Sequence, residues 1–485
     1  MTALHQPPRH EPDDRTAAPT GTPPHAPHQP TTRQPTTTRL PFPVVDEISR
    51  HCLGADEPET VHLEVHLPGR IDHERLRTAF HRALSDHPRI LMRQAPVRWW
   101  RRRYEWQLTA APDREPVVLA PPGPDALARA RVRALADCPP LDAAPPVRLE
   151  VIEHRPDAAD GTVLLLTINH TALDGPACLR VLATAAELYG GADNSPAPPP
   201  VRAPEARTDR PARPGAGAAG PGPGLARPVR LAPDTGDEGN PHPGARHNGM
   251  LLTELPVPAR PPRVGGRAPY TVNDQLLVAT CLTIARWNRQ HGRPTAPVVI
   301  TMPVDDRPRG SEMPIGNGTR LVPVGFGPEE RRDAELLSAD PPDPDAVARL
   351  LRRTAARTRA LKSVPGSQLG LAGTVLTLPV LPIGIRGALT RTLRSAAAPW
   401  TSSTLLSNIG RIPYPLDFGD AGRPTAVWFS APARMPRGLT FTTVSVGGRI
   451  QLALRWSHAL LDDAAGARLG ALFAASLAAT EGDAR

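Results

Sequence analysis

The chain has 485 residues, of which 40% are hydrophobic, 4% are aromatic and 22% are charged, and its formal net charge is +9. This length exceeds one typical domain, and the scarcity of aromatic residues means that its cores rest on Leu, Val, Ile and Ala. The charge does not indicate nucleic-acid binding, because the arginines are scattered and Lys362 is the only lysine. No apolar run reaches membrane-spanning length and no apolar signal-peptide core follows Met1, so we expect a cytoplasmic protein without a membrane span.

Two segments have a composition that does not support a packed core. Residues 1–40 are crowded with Pro, Thr, His and charged residues, which predicts a disordered tail. Residues 192–247 are rich in Pro, Gly, Ala and Arg, which predicts a disordered linker. The remaining chain then divides into an N-terminal lobe of residues 41–191 and a C-terminal lobe of residues 248–485.

The densest basic run is residues 98–104, in which arginines alternate with aromatic residues. It is predicted to be a strand or hairpin with a charged face. Aromatic rings among arginines also suit base stacking and phosphate contact, so this run is the best local candidate for a polyanion.

A short apolar run over residues 163–168 is predicted to be a buried strand, and residues 177–188 have helical spacing. His170 therefore lies on a strand-to-helix connection, and Asp174 and Gly175 follow it. An imidazole titrates near neutrality, so a histidine held at this place is suited to take a proton from a hydroxyl or amine. The carboxylate can orient the loop, and the glycine permits unusual backbone angles or a close approach.

The second half repeats alternating strands and helices. Strands are predicted over residues 250–255, 298–302, 404–407, 425–429, 439–446 and 450–456, and helices over residues 274–288, 343–362 and 385–393. A Gly-Gly pair beginning at Gly447 indicates a hairpin between the last two strands. His458 and Asp462 then repeat the His-x-x-x-Asp spacing without the following glycine, so we expect His458 to be structural and His170 to be the base.

The four cysteines, Cys52, Cys138, Cys178 and Cys281, are widely spaced and match neither a metal-ligand nor a redox pattern. We expect them to be reduced and to serve as small, mostly apolar side chains, and we expect no metal site.

Residues 169–175 resemble the His-x-x-x-Asp-Gly signature of the chloramphenicol-acetyltransferase-like superfamily. This superfamily includes nonribosomal-peptide condensation domains, polyketide-associated acyltransferases, wax-ester synthases and plant BAHD acyltransferases. Further landmarks resemble the family and follow its order, at residues 61–80, 85–88, 139–149, 270–277, 302–305, 316–319 and 406–410.

Two positions depart from the family pattern. Condensation domains of peptide synthetases usually carry two adjacent histidines, and the first of these is Asn169 here. This change argues against a standard peptide-bond-forming domain more than against acyl transfer. The family also commonly has an arginine three residues after a His-Pro pair, where this chain has Leu91. Arg89 and Arg93 lie two positions to either side, on the same strand face, so the arginine partner of Asp174 is open.

The resemblance implies an α/β fold of two chloramphenicol-acetyltransferase-like lobes. Each lobe is a mixed β-sheet packed with helices, and the two form a V-shaped pseudo-dimer with a tunnel between them. It also implies a freestanding acyltransferase that moves an acyl group from acyl-CoA or an acyl-carrier protein to a hydroxyl or amine acceptor. Such an enzyme serves natural-product or specialised-lipid biosynthesis, including polyketide and nonribosomal-peptide pathways, and has no tightly bound cofactor.

In that scheme His170 is the general base, and Asp174 with Gly175 shapes its loop, supported by Asn169 and Arg93. Ser407, Asn408 and Asn317 are oxyanion or tunnel candidates. A polar turn explains Ser407 and Asn408 about as well, and it explains Asn317 better. The basic run over residues 98–104 would then face an acidic carrier protein or a phosphopantetheine phosphate.

Two other functions stay open. The changes at Asn169 and Leu91 suit a catalytically inactive condensation-like scaffold that binds a carrier protein or recruits a tailoring enzyme. The arginine excess suits nucleic-acid binding that weakens with salt, although we expect no nucleic-acid partner. The acyl chain, the acceptor, the donor carrier and the oligomeric state are left open.

Overall fold

The structure is a computed structural model, and it describes residues 38–54, 57–154, 161–197, 227–236, 248–259, 268–294, 297–305, 307, 313–327, 330, 333–363 and 370–481. Most of the predicted tail, residues 1–37, lies outside the described residues. The last residues assigned to that tail, Arg39 and Leu40, belong instead to the first strand.

The described part of the chain alternates strands and helices along its length. The strands are β1 (Arg39–Pro41), β2 (Thr60–Leu67), β3 (Met92–Gln94), β4 (Glu105–Leu108), β5 (Val117–Leu119), β6 (Val147–His154), β7 (Gly161–Asn169), β8 (Asn248–Pro256), β9 (Val298–Asp305), β10 (Thr319–Phe326), β11 (Thr404–Arg411), β12 (Ala426–Ser430), β13 (Leu439–Val446) and β14 (Arg449–Ser457). The helices are α1 (Val44–His51), α2 (His73–Asp86), α3 (Ala126–Ala136), α4 (Gly175–Gly190), α5 (Val272–Gln290), α6 (Ala334–Ser338), α7 (Pro344–Ser363), α8 (Gly370–Thr377), α9 (Ile383–Ala397) and α10 (Asp463–Ala478). Short 3-10 turns occupy Pro88–Ile90, Ala398–Trp400 and Gly419–Ala421.

The first large sheet has the strand order β12-β2-β7-β6-β5, and its strand β7 carries the apolar run identified in the sequence. Leu164, Leu166 and Ile168 face a core shared with α2 and α4. Val163 and Leu165 face the opposite side and pack with the alanines of α3. Because both faces of β7 are covered, its sequence is continuously apolar and does not alternate. The predicted strand is confirmed, and it extends to Asn169.

The second large sheet has the order β10-β9-β11-β13-β14-β8 and packs against α5, α7 and α10. The side chains of Thr271 and Asp274 form a capping box at the start of α5, which satisfies backbone N–H groups that the helix leaves free. Gly447 and Gly448 both have positive φ and close the hairpin between β13 and β14, as the Gly-Gly pair predicts.

A strand from the second half of the chain completes the first sheet. β11 and β13 pair in parallel, so the chain between them cannot be a tight hairpin and must make a long excursion. On this excursion Leu416 and Phe418 enter the first core, and β12 pairs antiparallel with the edge of β2. The predicted C-terminal lobe of residues 248–485 therefore contributes residues 412–430 to the first lobe.

Part of the predicted linker is also folded. Leu231 and Ala232 are buried in the second core, and the indole of Trp287 donates a hydrogen bond to the carbonyl oxygen of Ala232 at 2.9 Å. Asn194 exchanges hydrogen bonds with the backbone of Asp417. The prediction of disorder is wrong for these stretches because their side chains and backbone groups find partners in the lobes. Residues 198–226 and 237–247 lie outside the described residues.

The molecule is thus a mixed α/β protein built on two large sheets, which confirms the predicted fold class. A small third sheet of order β1-β4-β3 flanks α1. Among the helices that the structure describes, none combines the length and apolar character needed to cross a bilayer.

Candidate active site

His170 follows the last residue of β7 and lines a cavity of about 1030 Å³ bordered by both large sheets. Its backbone N–H donates to the carbonyl oxygen of Glu59 at 2.8 Å, which holds the loop against β2. Its ring Nδ1 lies 3.0 Å from the carbonyl oxygen of Leu173. Because a carbonyl oxygen only accepts hydrogen bonds, Nδ1 carries the proton and Nε2 keeps its lone pair. The imidazole is partly exposed.

Asp174 is buried and uses both carboxylate oxygens to hold the loop. Oδ1 accepts from the backbone N–H of Ala177 at 3.0 Å and caps α4. Oδ2 accepts from the guanidinium of Arg307 at 2.8 Å and from the N–H of Gly318 at 2.9 Å. The carboxylate therefore positions the loop and is fully engaged by groups other than His170.

The arginine that pairs with Asp174 comes from the second half of the chain, just after β9. Arg307 also bonds Asp305 at 2.9 Å and donates to the backbone carbonyls of Pro314 and Gly316. Burial by itself lowers the pKa of Arg307, but hydrogen bonds and charges from Asp305 and Asp174 outweigh burial and raise the pKa above its ordinary value.

The sequence left the arginine partner of Asp174 open, with Arg93 named as a residue that supports the motif. Arg93 donates to Asp113 at 2.9 Å and so belongs to a different ion pair. Arg307 could not be recognised from the sequence, because a residue more than one hundred positions away gives no local signal of contact with Asp174.

Asn317 holds the histidine loop from the opposite side. Its amide nitrogen donates to the carbonyl oxygens of His170 at 3.2 Å and Thr171 at 3.1 Å, and to the carboxylate of Asp46 at 2.9 Å. These bonds make Asn317 a positioning residue for the loop, whereas the sequence suggested an oxyanion or tunnel group.

Asp46 is a member of this network that the sequence analysis missed. The residue lies on α1, accepts from the indole N–H of Trp106 at 2.8 Å and is buried. Burial raises its pKa to about 7, while the hydrogen bonds from Asn317 and Trp106 and the nearby His170 act in the opposite direction. An acidic residue in the first turn of a helix is ordinarily explained by the helix dipole, so only the contact reveals this role.

Asn169 and Gly175 flank the loop and stabilise its two ends. The amide of Asn169 donates to the carbonyl of Pro139 at 2.8 Å, and its oxygen accepts from the N–H of Thr171 at 3.1 Å. A Cβ on Gly175 would lie 3.1 Å from the ring of Phe429, so the glycine lets α4 begin close against β12.

Ser407 and Asn408 both line the cavity from β11. The amide nitrogen of Asn408 donates to Asn273 at 3.2 Å, and its oxygen accepts from Gly410 and Thr443. Asn408 is therefore occupied by structural bonds.

Two further hydroxyls line the same cavity and were missed by the sequence analysis. Ser430 Oγ on β12 and Thr442 Oγ1 on β13 are buried and have no hydrogen-bond partner among the described residues. A buried hydroxyl without a partner is costly, and such a group facing a cavity is available to a bound molecule. Residues of this type are common in strands, so nothing in the sequence distinguishes them.

A cation also lines this cavity. Arg437 is partly buried, and no carboxylate of the described chain pairs with its guanidinium. Burial, together with the charges of Arg394 and Arg230, lowers its pKa to about 10. A negatively charged ligand would offset this unfavourable burial.

His458 is separated from this arrangement. Its Nε2 lies 2.9 Å from the carboxylate of Asp463, and it is not among the residues that line the cavity. Asp462 caps α10 through the N–H of Ala465 at 2.6 Å, in the same way that Asp174 caps α4. The repeated spacing thus marks two equivalent strand-to-helix corners, of which one opens to the cavity.

The described residues contain no group of three or more His, Cys, Asp or Glu side chains that is arranged to hold a metal ion. All four cysteines are free thiols. Burial raises the pKa of Cys138 to about 12 and that of Cys178 well above the ordinary value of a thiol, so these groups are poor nucleophiles.

No family model matches the chain, but two curated proteins are similar to it in sequence. The uncharacterized proteins MT2362 and Rv2305 of Mycobacterium tuberculosis, from strains CDC 1551 / Oshkosh and ATCC 25618 / H37Rv, are each 29% identical to it over 443 residues. The similar region covers 85% of this chain and 93% of each relative, so the likeness includes both halves.

Solved structures share the whole architecture. The condensation domain of Monacolin K polyketide synthase MokA superposes with a TM-score of 0.57 at 14% identity, covering 91% of this chain and 97% of that chain. A variant of the starter condensation domain of rhizomide synthetase RzmA in complex with C8-CoA gives 0.57 at 15% identity, covering 92% and 96%. TRI3, the trichothecene 15-O-acetyltransferase from Fusarium sporotrichioides, gives 0.56 at 11% identity, covering 92% and 96%. The chain therefore has the two-lobed, chloramphenicol-acetyltransferase-like fold of condensation domains.

Proposed function

We propose that this protein is an acyltransferase that uses His170 as the general base to move an acyl group from a thioester to a hydroxyl or amine acceptor. The observation that carries the proposal is the geometry of the imidazole: Nδ1 lies 3.0 Å from the carbonyl oxygen of Leu173, and no other described residue forms a hydrogen bond with Nε2 at the cavity. Every other group of the motif is engaged in holding the loop, as expected for a site that presents one base to a substrate.

The reaction follows from this geometry. Nε2 of His170 takes the proton of the acceptor while the acceptor oxygen or nitrogen attacks the thioester carbonyl carbon. The carbonyl electron pair moves onto oxygen, and the resulting tetrahedral intermediate collapses by breaking the carbon–sulfur bond. The imidazolium returns its proton to the departing thiolate. No covalent acyl-enzyme forms.

The oxyanion needs donors that face the cavity. Ser407, Ser430 and Thr442 are the candidates, because each lines the cavity and no hydrogen bond to another described residue occupies its hydroxyl. One well-placed donor of this type contributes on the order of 3–4 kcal/mol to transition-state stabilisation.

The donor is proposed to be acyl-CoA or a phosphopantetheinyl carrier protein. Both carry phosphate groups, and Arg437 with its neighbour Arg394 supplies cationic groups at the cavity. The RzmA variant was solved in complex with C8-CoA, and an equivalent thioester is proposed here. We infer a role in natural-product or specialised-lipid biosynthesis, with no tightly bound cofactor.

Intact-mass detection of acyl transfer tests the proposal. Acyl-CoA and acyl-carrier donors are mixed with hydroxyl and amine acceptors, and the wild type is compared with His170→Ala and with the matched control His458→Ala. We expect product from the wild type and His458→Ala only, with unchanged thermal unfolding of all three. Loss of product only in His458→Ala would overturn the assigned base. Tight carrier binding without turnover of any donor by the wild type would instead support an inactive scaffold.

A further inference from the structure

A cluster of exposed apolar side chains covers α8, α9 and their surroundings. We name it the α8–α9 surface; its members are 43–69% exposed and are Trp99, Trp100, Val375, Leu378, Val380, Leu381, Ile385, Leu389, Leu393 and Trp400. They form the majority of the large hydrophobic residues that are exposed in the described chain. The loop of Trp99 adjoins α9 directly, because the N–H of Gly384 donates to the carbonyl of Trp99 at 2.9 Å.

Helix α9 is amphipathic, but its apolar face points outward and not toward the core. Ile385, Leu389 and Leu393 recur at four-residue spacing on one face, and all three point outward. Arg386 lies on the inner face, where it is buried and pairs with Glu47 at 3.0 Å. An apolar stripe that a helix turns away from its own core indicates a surface that meets something other than water.

Basic residues outnumber acidic residues around this surface. No Asp or Glu occurs between Asp345 and Asp417. Arg98 stacks over the ring of Trp100 at 5.2 Å, and no carboxylate of the described chain pairs with Arg98. The neighbouring residues 101–103 are three exposed arginines, and they line a separate cavity of about 430 Å³ together with Pro379 of the α8–α9 connection. The acidic residue of this cavity, Glu105, pairs with Arg39 at 3.4 Å.

We propose that the α8–α9 surface docks on an anionic phospholipid bilayer. The aliphatic side chains of α9 would enter the boundary between headgroups and acyl chains, with tryptophans at the edge, where amphipathic rings are favoured. The arginines of residues 98–103 would contact lipid phosphates, which matches their excess over the acidic residues beside them. This binding is peripheral and needs no membrane-spanning helix.

The surface adjoins the cavity that contains His170. Leu393 belongs to the α8–α9 surface and also lines that cavity. Three other residues of the same helices, Leu376, Arg394 and Ala397, line the cavity as well. A lipid-soluble acceptor or acyl chain can therefore pass between the bilayer and the base without crossing water. This route, but not the docking, rests on the proposed acyl transfer.

Vesicle flotation tests the docking. The full chain is mixed with vesicles of phosphatidylcholine alone or of phosphatidylcholine with phosphatidylglycerol, at low and high salt. We expect flotation with the anionic vesicles, weakened by salt. Ile385→Glu with Leu389→Glu should reduce partitioning by more than about tenfold, since it places charges in the apolar contact. The matched control Val132→Glu with Leu336→Glu changes two equally exposed apolar residues elsewhere and should float like the wild type.

The basic residues are tested separately. Arg101→Gln with Arg103→Gln should weaken partitioning into anionic vesicles by about 30-fold, from a factor of about five for each arginine near the surface. Absence of flotation, or equal loss in the Val132 and Leu336 control, would overturn the proposal. So would a dimer in light scattering that Ile385→Glu dissociates, or capture of an acidic carrier protein without vesicle binding.

Failure of the acyl-transfer proposal is distinguishable from failure of docking. His170→Ala should float like the wild type, because the imidazole is not part of the surface. Ile385→Glu with Leu389→Glu should retain transfer between water-soluble substrates and lose it for acceptors presented in vesicles.

Discussion

Replacement of Arg307 by Met breaks the contact between the two halves of the chain at the histidine loop. Its guanidinium lies 2.8 Å from Asp174 and 2.9 Å from Asp305, and its side chain is 9% exposed. Removing one partner of a buried pair leaves an uncompensated carboxylate, which costs about 3–5 kcal/mol of unfolding free energy. Ala177 and Gly318 still donate to Asp174, so we expect the lower end of this range.

The same change should slow catalysis. Arg307 also holds the carbonyls of Pro314 and Gly316, and the next residue, Asn317, bonds the backbone of His170. A base displaced by about 1 Å loses roughly 100-fold in rate. We therefore expect kcat for acyl transfer to fall more than KM changes.

Denaturant unfolding and steady-state kinetics measure these effects, with Arg423→Met as the matched control. Arg423 pairs with Asp417 at 2.8 Å but is 70% exposed, so its loss should change stability by less than about 1 kcal/mol. In a double-mutant cycle, Asp174→Asn should be less damaging in the Arg307→Met background than in the wild type. A loss below about 1 kcal/mol for Arg307→Met, or strict additivity with Asp174→Asn, would refute the reasoning.

Three further predictions use other parts of the site and fold. Burial raises the pKa of Asp46 from 3.8 to about 7, so the folded state binds more protons between these values and stability falls as pH rises through them. Asp46→Asn should remove this dependence from thermal unfolding measured between pH 4 and pH 8, and parallel curves for both proteins would contradict the assignment. Arg437→Met should raise KM for phosphate-bearing thioester donors by about tenfold or more, the equivalent of a charged hydrogen bond, and leave KM for a short thioester without phosphate unchanged. An equal effect on both donors would rule out phosphate contact. Gly190→Ala would place a Cβ 2.5 Å from the backbone nitrogen of Gly419, so it should destabilise by about 1–3 kcal/mol in denaturant unfolding. Gly325→Ala meets no atom within 4 Å and is its control, and equal stability of the two variants would disprove the close approach.

Local patterns in the sequence were sufficient to predict the strand, the turn and the helix around His170. The apolar run of β7, the glycine at residue 175 and the helical spacing of α4 act over neighbouring residues, so they can be recognised without tertiary structure. The same holds for the Gly-Gly hairpin of β13 and β14. The resemblance to chloramphenicol-acetyltransferase-like proteins added the two-lobed fold, which the solved structures confirm.

The contacts between distant segments are visible only in the tertiary structure. Asp174 pairs with Arg307, His170 is held by Asn317, and Asp46 joins this network from α1. Each of these pairs is separated by more than one hundred residues, so a motif around one partner gives no signal of which distant residue it contacts.

The path of the chain between the lobes, like these distant contacts, could not be predicted from the sequence. Many of the strands and helices could be predicted from the sequence, because periodicity and turn residues act locally. It did not determine that β12 would leave the second half and pair with β2, because edge pairing depends on which strand edge the folded lobes leave open. The position of His170 is therefore a local property, whereas its environment is a property of the assembled lobes.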